Sequence, residues 1–358
     1  MKRLLILSAA ILTIVSCNPD SPKGSKIARF DTDYAPPVFP KEYKREITAL
    51  NRDLLLESFG GISFLCDSVF IIRANSIDNE HLFQALSIKD GHQITSFGNQ
   101  GRANYELSGC RHAAYDNKAK HLYAMDMRLN MIDIDLGKAL SGDSRCVVGN
   151  HKLEGGWYAK YIHYLPNNRI LHVRSNPRLL VTDMTGKDTL ALYDDYHSTI
   201  PEFDNDKRKR QLFFAHNTKS AIKPDGTKIF HATMNGMTME IFDFDGTTIK
   251  QSALRQFFKP AKGKLNQGTI SKEESIYGAR RCCATDKYIY LLYSDNKFGE
   301  GQNPPFYLGV FNWNGNEVCR YVLNEYMDTF VVTPDDKRLY CWAYDSEDEE
   351  YFGYFDLK

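Results

Sequence analysis

The chain lacks an excess of either charge: 45 Lys+Arg stand against 45 Asp+Glu in 358 residues. That balance withholds the basic footprint of a nucleic-acid binder. It also lacks a sustained 3.6-residue apolar period, so long amphipathic helices are not expected. There is no Gly-x-Ser-x-Gly elbow, His-Glu-x-x-His pair, phosphate loop or dinucleotide fingerprint, which excludes serine hydrolases and nucleotide enzymes of ordinary type. No cofactor is expected. The ten histidines show no convincing metal spacing, although His112 with His121, and His163 with His172, fall on consecutive strand-like runs and could meet. Cysteine gives no framework either. The seven after Cys17 are odd in number, have no metal-ligand spacing, and mostly lie in apolar runs such as Phe64-Leu65-Cys66 and Tyr340-Cys341-Trp342. They read as buried small hydrophobes, with adjacent Cys282 and Cys283 on opposite faces of a strand.

What is present begins at the N-terminus. Lys2-Arg3 precede an apolar run from Leu4 to Val15 that is too short and wrongly flanked for a stable membrane span. The sequence Ile14-Val15-Ser16-Cys17 resembles the bacterial lipobox, which implies cleavage before Cys17 and acylation of its thiol. Asn18, rather than Asp, follows, which points to an outer-membrane lipoprotein, periplasmic or surface-facing. The next stretch, with Pro19, Pro22, Pro36, Pro37 and Pro40, is too poor in apolar residues to pack and reads as a tether. From Cys17 to residue 40 it could reach roughly 80 Å at ~3.5 Å per residue. The division is a signal peptide at 1–16, a lipid-anchored tether at 17–40 and one folded unit at 41–358.

Within that unit the composition is that of pleated strands, with 21 Tyr and 21 Phe. A run with a polar or aromatic start recurs as His121-Leu-Tyr-Ala-Met, Arg169-Ile-Leu-His-Val, Lys228-Ile-Phe-His-Ala, Tyr288-Ile-Tyr-Leu-Leu and Arg338-Leu-Tyr-Cys-Trp, each just after a turn. The starts are 48, 59, 60 and 50 residues apart. A second series, Asp90-Gly91, Thr185-Gly186, Asp245-Gly246 and Asn314-Gly315, separates pairs of strand-like runs as tight hairpin turns do. A unit of about 50 residues with several short strands marks a propeller blade. The expected fold is therefore all-β, a six-bladed β-propeller with blades near 60–98, 108–150, 157–195, 212–255, 278–324 and 327–358. The last is one strand short, and the run Arg45-Glu-Ile-Thr-Ala-Leu50 is expected to supply it and close the ring.

The segment Ser96-Phe-Gly-Asn-Gln-Gly-Arg-Ala-Asn-Tyr-Glu-Leu107 resembles the link between the first two blades of the TolB-like six-bladed propeller lipoproteins of Bacteroides and relatives. Phe97, Gly98, Gly101, Glu106 and Leu107 fit that pattern, whereas Ala103-Asn104 replaces its usual Gly-Pro. The resemblance spans nearly the whole chain after Cys17 and implies a fold rather than an activity.

Candidate sites follow from where innermost strands should begin. Arg111-His112, Lys160-Tyr161, His216-Asn217, Arg280-Arg281 and Asp328-Thr329 would gather at the channel mouth and give it a basic and imidazole character. Arg111, His112, His216, Asn217, Arg280, Arg281 and Asp328 are thus candidates for binding an anion, since guanidinium forks match carboxylates and phosphates. The long Gly/Pro-rich loop at 295–306, with Phe298, Gln302 and Phe306, is the candidate contact for a partner protein or glycan. The preferred function is a non-enzymatic binding propeller of the cell envelope, touching the membrane only through its lipid. The alternative is a calcium-dependent hydrolase or lactonase drawing hard ligands from Asn217 and Asp328.

Overall fold

The computed structural model describes residues 34–54, 56–75, 80–154, 159–174, 177–195, 217–258, 262–264, 269–271, 276–297 and 304–358. The described chain forms a six-bladed β-propeller with almost no helix. Blade 1 comprises Glu57–Cys66, Val69–Asn75, His81–Ser87 and Gln93–Asn99, from the axis outward. Blade 2 comprises His112–Asp116, His121–Met125, Asn130–Asp135 and Val147–Lys152. Blade 3 comprises Tyr161–Leu165, Arg169–Val173, Leu179–Asp183 and Thr189–Tyr193. Blade 4 comprises Thr218–Ile222, Lys228–Thr233, Met237–Phe244 and Ile249–Phe258. Blade 5 runs Ala279–Ala284, Tyr288–Tyr293, Phe306–Asn312 and Glu317–Leu323. Blade 6 runs Tyr326–Val332, Arg338–Tyr344 and Glu350–Asp356.

The repeat found in the sequence is the second strand of blades 2 to 6, which begins at His121, Arg169, Lys228, Tyr288 and Arg338 in turn. These strands are apolar on both faces because each is sandwiched between two neighbouring blades. The hairpin glycines Gly91, Gly186, Gly246 and Gly315 take φ values of 75°, 76°, 100° and 80° at the turn into each outer strand. Blade 2 has no such glycine. There a five-residue helix, Leu136–Leu140, fills the connection and is capped by Asp135, whose carboxylate accepts from the Lys138 amide.

The last blade is completed as expected. Thr48–Asn51 pairs antiparallel with Glu350–Asp356 and becomes the outer strand of blade 6. The sequence did not reveal what precedes it. Glu42–Arg45 lies parallel to Glu317–Leu323 as a fifth strand of blade 5. Ahead of it, Phe39 packs edge-on against Phe311 at 5.3 Å, and Ala35, Pro36 and Val38 line an open pocket shared with Leu254–Phe257 on the outer strand of blade 4. Residues 35–51 therefore belt the rim across three blades.

The core is six apolar layers, one per blade boundary. The layer closing the ring places Phe70 and Ile72 of blade 1 against Trp342 and Phe352 of blade 6, with the Phe70 and Phe352 rings 4.8 Å apart. Trp342 is fully buried, and truncating such a side chain costs about 3–5 kcal/mol. Cys282 and Cys283 do face opposite ways, one into the layer between blades 4 and 5 and the other into that between blades 5 and 6. All seven described cysteines are free thiols.

Candidate functional site: the channel mouth

The innermost strands are more exposed than the strands just outside them. Ala279–Ala284 alternates little and is half-buried along most of its length, whereas its neighbour Tyr288–Tyr293 is buried after its first residue. The same contrast separates Tyr161–Leu165 from Arg169–Val173. At the centre of a disc, this pattern means that solvent reaches down the axis, so polar side chains on the innermost strands are accessible to a small ligand.

Polar ties cross each boundary around that axis. Arg73 donates to the Cys110 carbonyl at 2.5 Å between blades 1 and 2, and His112 Nε2 to the Ala159 carbonyl at 2.9 Å between blades 2 and 3. Lys219 Nζ donates to the Tyr161 hydroxyl at 3.1 Å, and His163 Nε2 meets Ser220 Oγ at 2.6 Å, both between blades 3 and 4. The Gly236 amide donates to the Ile276 carbonyl at 3.0 Å between blades 4 and 5. Arg281 Nη2 donates to Asp328 Oδ1 at 2.7 Å between blades 5 and 6, while its Nε reaches the Asp328 carbonyl. Ser63 and Thr329 share a hydroxyl bond of 2.6 Å where blade 6 meets blade 1.

Arg281 extends past blade 6 to blade 1, where it lies over Gly61. A Cβ at that position would overlap the guanidinium, and Gly61 has φ of +62°, so glycine is needed on both counts. Lys160 and Lys219 stand with their ammonium groups 5.5 and 5.6 Å from the Tyr161 ring centroid. Burial pushes both lysines down to about 7, and the positive charge of Lys219 adds to the effect on Lys160, as that of Arg281 does on Lys219. Burial likewise holds Tyr161 up to about 12, so it remains a phenol at neutral pH. Arg280 rests on the Tyr277 ring at 4.2 Å, and its buried Nε and Nη2 have no hydrogen-bond acceptor among the described residues. Lys219, Arg281 and Arg73 thus lie within electrostatic reach of the Asp328 carboxylate, which Arg281 engages directly, while Arg280 lies within reach of Lys219 and Arg281, and Lys160 within reach of Lys219.

The candidates read from sequence separate into three groups. Arg281 and Asp328 meet at the mouth with Arg280 beside Arg281 in the same strand, and Asn217 immediately precedes the innermost strand of blade 4, its buried Oδ1 unbonded among the described residues. Arg111 and His112 begin blade 2, but His112 is spent on the Ala159 carbonyl, and burial holds it down to about 4, so it contributes no charge at neutral pH. Cys17, His216, Phe298 and Gln302 lie outside the described residues. Phe306 is corrected: it is 3% exposed in the layer between blades 5 and 6, with its ring 5.4 Å from Tyr326, because it opens the third strand of blade 5 and is a core residue rather than a contact. The two histidine pairs do not meet, since His163 stands opposite Leu171 and His112 opposite Met125. Lys219 and Arg73 were missed. Lys219 is the second residue of its strand rather than the start, and Arg73 reaches the mouth from a second strand.

The residues do not fit a calcium site. Among the described residues, the carboxylate of Asp328 is capped by the Arg281 guanidinium and lies within reach of the charges of Lys219 and Arg73, an arrangement that repels rather than coordinates a cation. Among the described residues no three His, Cys, Asp or Glu side chains group to hold a metal.

A closed ring of six antiparallel blades around a solvent-reached, cationic axis defines a six-bladed propeller whose polar chemistry lies at one mouth of its channel. A family profile described as TolB-like 6-blade propeller-like matches residues 39–335, and the chain belongs to that family. No curated protein matches it in sequence. Among solved structures it is similar to U3-55K, at 9% identity and a TM-score of 0.51 over 87% of this chain and 98% of that one. It is also similar to the RRP9 WD40 repeats, at 7% identity and a TM-score of 0.50 over 89% and 99% of the two chains. At such identity the likeness is one of fold alone.

Proposed function

We propose that this protein is a lipid-anchored envelope protein whose propeller acts as a non-enzymatic binding module, taking a small anionic ligand at the channel mouth. The observation that carries the reading is the surplus of positive charge there: Lys219 and Arg280 stand within reach of an Arg281 whose carboxylate is already supplied. Gathering like charges in a partly desolvated space is costly, and an entering anion relieves that cost. The unbonded Nε and Nη2 of Arg280 supply a fork suited to carboxylate or phosphate oxygens. Anchoring rests on Ile14-Val15-Ser16-Cys17 and the Pro-containing tether behind it. A partner protein or glycan presenting such an anion would be taken by the same mouth.

The test is thermal unfolding with phosphate, citrate or acetate, and separately with calcium after a chelator. A ligand at 100 times its Kd adds about 2.7 kcal/mol to native stability. Phosphate or citrate should raise the midpoint, and Arg280→Gln should weaken that response by about tenfold in ligand concentration, the loss of one charged hydrogen bond. A midpoint indifferent to every anion, or one lowered by chelator and restored by calcium, would overturn the reading.

A further inference from the structure

The lysine at the boundary of blades 3 and 4 is placed for more than electrostatic attraction. Lys219 Nζ donates to a phenol, Tyr161, at 3.1 Å, and lies within the electrostatic reach of Arg281, Cys282, Asp328 and Arg280. Lys160, just ahead of the innermost strand of blade 3, approaches the same Tyr161 ring. Asp328 is turned to Arg281, so the amine has a hydroxyl for a partner where a surface lysine would have a carboxylate or water. The side chain is half-buried on a strand that faces the channel, so a small solute can reach it.

We propose that Lys219 captures a small anion bearing an aldehyde or ketone as a reversible imine, with Arg280 holding the anionic group and the Tyr161 hydroxyl relaying protons. This rests on the anion-binding reading and names the ligand's second functional group. The Nζ lone pair adds to the carbonyl carbon, forming the C–N bond while the carbonyl π pair moves to oxygen and is protonated. Tyr161 takes a proton from Nζ and gives its own to that oxygen. Tyr161 then protonates the carbinolamine hydroxyl as its C–O bond breaks, water leaves, the nitrogen lone pair closes the C=N bond, and the iminium N–H proton returns to the Tyr161 oxygen. Hydrolysis reverses each step, and no oxidant or reductant enters. Crowding by cations and burial keep much of the amine neutral and nucleophilic near pH 7–8. Burial also keeps Tyr161 protonated, as the relay requires.

The probe is glyoxylate at pH 8 with borohydride to fix the imine, followed by peptide mass analysis of the folded full chain. Lys219 should be labelled at least about tenfold faster than Lys337, whose side chain is 81% exposed, because at pH 8 only a small fraction of an ordinary lysine is neutral. Phosphate should compete, Lys219→Arg should abolish the fast label, and Tyr161→Phe should slow it while the phosphate-induced shift in midpoint persists. Propanal, which carries no anion, should show a smaller preference for Lys219, set by the neutral amine alone and not reduced by phosphate. Labelling of Lys219 no faster than Lys337, or a fast label on Lys160 instead, overturns the proposal. If phosphate still stabilises the protein in that case, the carbonyl chemistry falls and the anion site stands. If phosphate does nothing as well, both fall.

Discussion

Lys219 of blade 4 donates its ammonium hydrogen to the phenol oxygen of Tyr161 in blade 3, 3.1 Å away, with no carboxylate between them. Its charge is therefore poorly compensated in the fold, and the dependence of stability on pH should reveal it. Lys160 and Lys219 lie at about 7 in the native protein, against about 10.4 in an unfolded chain. Between those values the unfolded chain holds more protons, so stability rises with pH above about 7, while below it both states are charged and the penalty is constant. Thermal midpoints at pH 6.5, 7.5 and 8.5 should climb in the wild type. A Lys160→Met/Lys219→Met variant should melt higher at pH 7 with a flatter profile; an unchanged slope would show that both ammonium groups are well solvated.

The histidines set the acid limit. Burial pushes His112, His163 and His172 down to about 4 and His231 down to about 3. Their stabilising contribution is present above pH 6.5 and is lost as pH falls toward 4, because the unfolded chain takes up protons first. His231 is fully buried with neither ring nitrogen bonded, and its ring stands edge-on to Phe242 at 5.6 Å. His231→Phe should raise stability at pH 7 by about 1 kcal/mol, the relief of an unsatisfied polar group, and make the acid loss shallower. Urea titrations at pH 7 and 5 measure both effects, and destabilisation at pH 7 would mean that the imidazole has a bonding role.

Gly61→Ala should be costly although it adds a single methyl. The backbone at φ +62° penalises any L side chain by about 1–2 kcal/mol, and the new methyl would displace Arg281 from Asp328. A total of about 2–4 kcal/mol is expected from denaturant midpoints, as disrupting a half-buried ion pair adds to the backbone term. Arg281→Ala should make the two substitutions less than additive. Full additivity would show that Gly61 and Arg281 do not share a contact.

Removing the N-terminal belt should unseal the ring. A chain shortened to begin at residue 53 loses both Glu42–Arg45 and Thr48–Asn51, and leaves the outer edge of Glu350–Asp356 unpaired. Exposed strand edges recruit other strands, so light scattering should report association, whereas a chain beginning at residue 34 should remain monomeric. A monomeric, equally stable shorter form would overturn the closure.

How far the sequence discloses this molecule depends on range. Blade periodicity was legible because each second strand is buried on both faces and must be apolar, while its turn needs Asn, Asp or Gly, so the starts at His121, Arg169, Lys228, Tyr288 and Arg338 stand out. The completing strand was legible from a count, since blade 6 lacked one. The belt over blades 4 and 5 was not, because Glu42–Arg45 has the composition of the tether beside it and owes its strand to a distant partner. The mouth was half legible. Arg280, Arg281 and Asp328 sit at strand starts, whereas Lys219 enters through side-chain direction and Arg73 by length, neither of which a linear pattern encodes. Phe306 misled for a related reason: a long loop suggests contacts, but its last residue already belongs to the core.

The belt also orders events in time. The ion pair between Glu42 and Arg320 spans 278 residues, and the bond from Arg45 to the Asp356 carbonyl spans 311. Strands made first must wait for partners made last, so blades 1 to 4 can assemble on local contacts while the seam stays open until the chain is complete. Sealing then depends on a search across nearly the full contour, which makes it the slow and late step of folding. The same delay keeps the chain from locking into its final ring before Glu350–Asp356 is available to pair.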